Sequence, residues 1–70
     1  MTRQQVNSSN IESIGFDEGS QTLEIEFHTG AIYQYYSVPK SLYEDFIRAS
    51  SHGSFFHIHI KGRYNDTKIS

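Results

Sequence analysis

The 70-residue sequence contains no cysteine, no tryptophan and a single proline, and no apolar run reaches the ~20 residues that cross a bilayer as a helix. Without cysteine there is no disulfide, no thiolate nucleophile and no cysteine-based metal site, so the fold depends on packing. Residues 1–10 lack the apolar core of a signal peptide. We therefore expect a cytoplasmic protein that does not enter a membrane. A chain this short has room for one core and one domain.

Charge is unevenly distributed along the chain, although the formal net charge is only −2. Seven of the eight acidic residues lie in 1–46, whereas four of the six Lys and Arg and three of the four His lie in 47–70. If the fold separates these segments, one surface is acidic and another is basic. The alternative is chance unevenness in a small protein. The net charge itself argues against a generally basic nucleic-acid binder.

Alternating apolar and polar residues predict three antiparallel strands. The clearest alternation joins Leu23, Ile25 and Phe27, with glutamates between them. Two weaker segments flank it, 11–17 and 31–36, and turn residues separate all three. Residues 1–10 are polar and aperiodic, which predicts a flexible arm.

The spacing of apolar residues changes to a helical period after Pro39. The apolar stripe consists of Leu42, Tyr43, Phe46, Ile47 and Ala49. Two starts are compatible with the sequence, because Pro39 suits a first turn and Ser41 with Glu44 has the spacing of a capping box. Gly53 is expected to end the helix in the left-handed conformation. We expect this helix to cover the meander.

Residues 54–64 fit two structures. The alternation of Phe56, Ile58 and Ile60 with polar neighbours predicts a fourth strand. The four-residue spacing of Phe56, Ile60 and Tyr64, with Ser54 as N-cap, predicts a short second helix. Local patterns do not decide between them. The expected fold is α+β, a three-stranded antiparallel meander covered by one helix and followed by a short second helix or a fourth strand.

A series of short motifs in a fixed order resembles the KTSC domain family, named for its occurrence at the C-terminus of some lysyl-tRNA synthetases. The motifs are Ser13–Phe16, Gly30 with Tyr33 and Tyr35, Val38–Pro39, Tyr43 with Ala49, Ser51 with Gly53, Phe55–Phe56, Ile60 and Tyr64. The resemblance covers 11–64 as a single domain and leaves 65–70 as a tail. It implies a small bacterial domain with a role in RNA or tRNA binding, suggested by the fusion partner.

Candidate RNA-binding residues follow from that implication. The cationic and protonatable side chains that would contact phosphates are Arg48, His52, His57, His59, Lys61 and Arg63, with Lys68 beside them. The family-motif aromatics Tyr33, Tyr35 and Tyr64 are either core residues or a stacking platform for unpaired bases, and for the first two the core alternative is favoured.

Other functional classes receive less support from the sequence. His57 and His59 lie two apart, but on a helix such residues diverge, so we expect no metal site and no cofactor. No nucleophile elbow, phosphate-binding loop or paired-carboxylate spacing is present, so we expect neither an enzyme nor a small-molecule substrate. The alternative to RNA binding is a protein–protein interaction module that acts through a strand edge or an aromatic patch.

Overall fold

The chain forms a five-stranded antiparallel sheet with one face covered by helices, in a computed structural model that describes all 70 residues. In chain order the elements are β1 (Arg3–Gln5), β2 (Ile11–Asp17), β3 (Thr22–Phe27), β4 (Ile32–Tyr35), α1 (Lys40–Ile47), α2 (His52–Phe55), a π-helical turn (Phe56–Ile60) and β5 (Asp66–Lys68). The strands are adjacent in sequence order, from β1 at one edge to β5 at the other. No helix is long and apolar enough to span a membrane.

The predicted meander forms the centre of the sheet, and the α+β class is confirmed. The prediction of only three strands was wrong, because β1 and β5 extend the sheet on both sides. These strands come from the segments expected to be an arm and a tail. Each has three residues and no apolar alternation, so neither gave a strand signal.

The tight turn between β3 and β4 is formed as its residues predict. Gly30 has a φ of 93°, and its amide donates to the carbonyl of Phe27 at 2.9 Å. A left-handed residue of this kind favours glycine, because a Cβ is strained there. The turn sets the register that places Tyr33 opposite Ile25 and Tyr35 opposite Leu23.

The helices pack on the sheet face that carries the apolar side chains of the central strands. Ile14, Leu23 and Ile25 are fully buried there, together with Phe46 of α1. The rings of Phe16 and Tyr43 stack with centroids 4.8 Å apart, which fixes α1 against β2. Tyr33 and Tyr35 lie on the same face, because residues opposite each other in an antiparallel pair share a side.

The start of α1 matches neither of the two predicted starts. Pro39 is the N-cap residue, with extended backbone angles, and its carbonyl accepts the amide of Leu42 at 3.0 Å. Ser41 already lies inside the helix, so no capping box forms. The helix ends at Ile47, earlier than the sequence pattern predicted.

Two predicted cap residues have other roles. Gly53 does not end α1 in a left-handed conformation but lies inside α2 without a positive φ. Ser54 is not an N-cap, because Ser51 holds that position and accepts the amide of Ser54 at 3.3 Å. The glycine with a positive φ that follows the helical segment is Gly62, at 75°.

Residues 52–60 are helical, which decides the alternative left open by the sequence. The amide of Lys61 donates to the carbonyl of Phe56 at 2.9 Å, a five-residue separation that defines a π-helical turn. Phe56 and Ile60 are buried, whereas Ile58 is 58% exposed. The helical alternative therefore forms, with Phe56 and Ile60 on its buried side, although it ends at Ile60 and Tyr64 lies beyond it. The strand alternative was wrong.

Candidate nucleic-acid interface

An open groove of about 640 Å³ lies between the β3–β4 hairpin and the helical segment that contains the π-helical turn. Its wall on the sheet side includes Phe27, Tyr33 and Tyr35, and its wall on the helix side includes Phe56 and His57. A volume of this size is typical of ligand-binding sites. π-helical turns are also frequent at functional sites, because they interrupt regular helix geometry.

Four aromatic rings form a closed set along this groove. Phe27 contacts Tyr33 and Phe56 edge to face, with centroids 5.8 and 5.4 Å apart. Tyr35 contacts Phe56 edge to face at 5.8 Å and is roughly parallel to Tyr33 at 6.4 Å. Tyr35 and Phe56 are buried, whereas Phe27 and Tyr33 are only half-buried. The half-buried rings provide an accessible apolar surface.

The polar groups of the groove come from the segment after the π-helical turn and from β5. Lys61 and Asp66 line the groove, and Asp66 lies directly opposite Tyr35 in the sheet register. Burial, the charge of Asp66 and the neighbouring Tyr33 raise the pKa of Tyr35 to about 12. Lys68 lies opposite Tyr33 and on the same face. With its pKa raised, the Tyr35 phenol is neutral at physiological pH, and a neutral phenol can donate one hydrogen bond and accept another.

The basic side chains divide into two that form ion pairs and four that form none. Arg3 pairs with Glu24 and Glu26, and Lys40 pairs with Glu18. The four exposed cations without an ion pair are Arg48, Lys61, Arg63 and Lys68. Three of the four lie in the last ten residues of the chain, and all belong to the segment that the sequence identified as basic.

Two arginines among these cations are held by the backbone. The Nε of Arg48 donates to the carbonyl of Glu44 at 3.2 Å, and the Nε of Arg63 donates to the carbonyl of Ile58 at 2.8 Å. Their terminal nitrogens have no partner within the protein. Such groups are available for an external anion.

The three candidate histidines occupy different environments. His57 and His59 are exposed on the π-helical turn, and the ring of His59 packs on Phe55 with centroids 4.5 Å apart. His52 is half-buried beside Phe46, and its Nε2 lies 3.2 Å from the carbonyl of Ile47. Its Nδ1 is buried without a partner. His52 is therefore a packing residue of α2, whereas only His57 lines the groove.

Tyr64, the third motif aromatic, lies outside the groove. It is half-buried, packs against the core and lines a small separate depression with Arg63 and Tyr36. Sequence reasoning did not identify Phe27, Phe56 or Asp66 as groove residues. The signal for the two phenylalanines was their apolar spacing, which equally indicated the core, and Asp66 gave no signal because β5 was not predicted.

The opposite face of the sheet is uncovered and acidic. Arg3 lies between Glu24 and Glu26, with Nη2 3.5 Å from Glu26, and Gln34 donates to Glu24 at 2.9 Å. Glu12 lines the same surface, and its carboxylate lies 2.9 Å from Nδ1 of His28. Carboxylates outnumber cations on this face, which disfavours contact with phosphates.

Comparison with known proteins agrees with this arrangement of elements and motifs. The KTSC domain sequence profile matches residues 7–64. This chain belongs to the KTSC domain family. A crystal structure of a KTSC domain protein from Yersinia pestis superposes with a TM-score of 0.96 at 43% identity, covering 99% of this chain and 97% of the other. The resemblance identified from the motifs is thus confirmed.

Relatives of this KTSC domain occur in two settings. A protein from Tsukamurella paurometabola is 41% identical over 61 residues, which cover 87% of this chain and 91% of that protein. A lysine–tRNA ligase from Nostoc punctiforme is 39% identical over 60 residues, which cover 86% of this chain. The chain spans only 11% of the ligase's length. The similarity therefore concerns one segment of the ligase.

No group of three or more His, Asp or Glu side chains is arranged to hold a metal ion. His57 and His59 follow each other on a helical turn, where residues two apart point in different directions. The chemistry that the groove offers is therefore that of apolar surface, hydrogen-bonding groups and positive charge.

Proposed function

We propose that this KTSC domain is an RNA-binding accessory module, with tRNA as the first RNA to test. The observation that carries the proposal is the group of four cations without an ion pair, two of which, Lys61 and Lys68, lie on the face of the aromatic groove. Phosphate neutralisation by Lys and Arg supplies most of the affinity for nucleic acid. Aromatic faces then stack on unpaired bases.

The charges of the two sheet faces favour RNA binding on one face only. Glu24 and Glu26 occupy the uncovered face, so phosphates are repelled there. Lys61 and Lys68 lie on the groove side of the sheet, and Asp66 is the one carboxylate among the residues that line the groove. A negatively charged backbone is therefore bound on the helix side, in contrast to RNA-binding domains that use an open sheet face.

The proposed role of tRNA rests on the relative in which a similar segment occurs. The Nostoc punctiforme protein is named as a lysine–tRNA ligase, and the matching segment is a small part of it. An appended segment that binds RNA would raise the local concentration of tRNA near its partner domain. Binding without catalysis is the role proposed for the domain on its own.

Protein binding through a strand edge is the weaker candidate. β1 and β5 are the two edges, and each has only three residues with charged or polar side chains. Short, charged edge strands are typical of sheets protected against pairing with another chain. An aromatic patch remains available for a protein partner, because the groove that would contact RNA is also apolar.

A ¹⁵N-NMR titration with bulk bacterial tRNA at low and high salt tests the proposal. We expect amide shifts that cluster at Arg48, His57 to Arg63 and Lys68, with signals from β1 unaffected, and we expect the shifts to vanish at high salt. Charge reversal at Lys61 and Arg63 should abolish them.

Two results would contradict RNA binding by this surface. One is the absence of shifts at high protein and tRNA concentrations and low salt. The other is shifts that persist after charge reversal at Lys61 and Arg63. The first outcome would redirect attention to a protein partner, for which a pull-down is the next experiment. The second would show that RNA binds without the charges of Lys61 and Arg63.

A further inference from the structure

Asp66 is the single carboxylate among the residues that line the aromatic groove. It lies on β5 opposite Tyr35, and it forms neither an ion pair nor a side-chain hydrogen bond with the protein. Its side chain is on the same sheet face as Tyr33 and Tyr35. A free carboxylate thus stands beside an apolar surface that is otherwise bordered by cations.

An ionised carboxylate only accepts hydrogen bonds. Next to phosphates it is unfavourable, so at an RNA-binding surface it weakens binding unless it accepts a hydrogen bond from the RNA. The donors on RNA other than the 2′-hydroxyl are the amino and imino groups of bases. The amino groups of adenine, cytosine and guanine are suitable partners, whereas the single base donor of uracil, its N3–H, lies between two carbonyl oxygens that repel a carboxylate.

We propose that the groove binds one unpaired base that carries an amino group on its Watson–Crick edge, with Asp66 accepting a hydrogen bond from that group. The base packs against the accessible ring surfaces of Tyr33 and Phe27, and Lys61 and Lys68 contact the adjoining phosphates. This inference rests on the proposed function, because it specifies which bases the RNA-binding surface selects.

The Tyr35 phenol supports the same assignment. It lies in the groove wall beside Asp66 and has no hydrogen-bond partner within the protein. Because it is both a donor and an acceptor, it can bind a ring nitrogen or carbonyl next to the amino group. Asp66 and Tyr35 together offer an acceptor and a donor. The amino group of cytosine, adenine or guanine and the acceptor next to it match this pair, whereas the carbonyl oxygens on both sides of the uracil N3–H repel the Asp66 carboxylate.

Two pairs of probes isolate the amino group. The first is a short oligouridylate compared with the same RNA carrying one central cytidine, and the second compares central guanosine with central inosine, which lacks the amino group. At fixed salt and pH, fluorescence anisotropy should show each amino-bearing member binding about fivefold more tightly than its partner.

Asp66→Asn is the diagnostic variant. The asparagine side chain can turn either its oxygen, an acceptor, or its NH₂ group, a donor, towards the base, so it no longer favours bases that carry an amino group. We expect the ratio of affinities within each probe pair to fall below about twofold. Asp45→Asn is the matched control, since it removes the same charge from an exposed position on α1 outside the groove. The ratio should be unchanged in this control.

The outcomes separate the inference from the proposed function. Base selection is overturned if RNA binds in a salt-dependent way but both members of each probe pair bind with equal affinity. It is also overturned if Asp66→Asn leaves the ratio of affinities unchanged. Either result leaves the RNA-binding function intact. Titrations of the ¹⁵N-labelled protein with free cytidine and with free uridine, monitored by NMR, test whether the groove binds a base in the absence of phosphates. If cytidine shifts the groove amides more than uridine while RNA does not bind, the RNA-binding function fails and the base site stands. No response to any probe overturns both.

Discussion

Removing two of the four unpaired cations should halve the salt dependence of RNA binding. We choose Lys61→Gln with Arg63→Gln, because both side chains are exposed and neither forms an ion pair that the substitution would break. Each phosphate neutralised on a single strand contributes about −0.7 to the slope of log affinity against log salt. Four cations therefore predict a slope of about −2.8, and two predict about −1.4.

The magnitudes are large enough to measure. Between about 50 and 200 mM salt, the wild-type protein should lose about 50-fold in affinity and the double variant about sevenfold. The assay is fluorescence anisotropy of a labelled oligouridylate over a salt series at constant pH. Lys40→Gln is the control, because it removes one positive charge that already belongs to an ion pair, with Glu18 on the β2–β3 turn, and not to the set of unpaired cations. An unchanged slope in the double variant, or an equal fall in the control, would refute the electrostatic account.

Two further predictions concern the helical segment and the groove. Ile60→Ala should lower the free energy of unfolding by about 2–5 kcal/mol, whereas Ile58→Ala should change it by less than about 0.5 kcal/mol, because Ile60 is fully buried and Ile58 is 58% exposed. Equal effects in urea unfolding would contradict the π-helical turn and favour a strand. The pKa of Tyr35 is raised from 10.0 to about 12 in the folded protein. Burial of the neutral phenol therefore contributes fully to the free energy of unfolding below pH 10, and this contribution is lost as the pH rises from 10 to 12. Unfolding of the wild type compared with Tyr35→Phe should show a relative loss of about 1–2 kcal/mol over that range, and a constant difference would refute the burial of the phenol.

The central part of the fold was predictable because several local signals agreed. The alternation of Leu23, Ile25 and Phe27, the turn at Gly30 and the helical stripe after Pro39 each indicate one structure, and together they indicate one architecture. The order of the family motifs added information that no single pattern provides. The assignment of the chain to the KTSC domain family was therefore possible from the sequence.

The edge strands and the helix caps were not predictable for a physical reason. β1 and β5 are stabilised by hydrogen bonds to their neighbours and not by an apolar face, so their own sequences carry no periodic signal. Ser51 and Ser54 are equally good N-cap residues in isolation, and in the structure Ser51 holds the N-cap position. Asp66 lines the groove and Lys68 lies beside it on the same sheet face only because β5 pairs with β4, so neither position had a signal in the sequence.

The distribution of charge between the two sheet faces explains why the net charge of the chain is a poor guide to its partners. Glu12, Glu24 and Glu26 make the uncovered face acidic, and Lys61 and Lys68 are the cations on the groove side. The separation is incomplete, since Glu44 and Asp45 lie on α1 within the helix layer. At physiological salt, charges on opposite faces of the sheet are screened from each other over about 8 Å, so an approaching phosphate responds to the nearer face. A protein with a formal charge of −2 therefore carries unpaired cations beside its groove and carboxylates on the other sheet face, and under the proposed function the acidic face disfavours RNA binding in the opposite orientation.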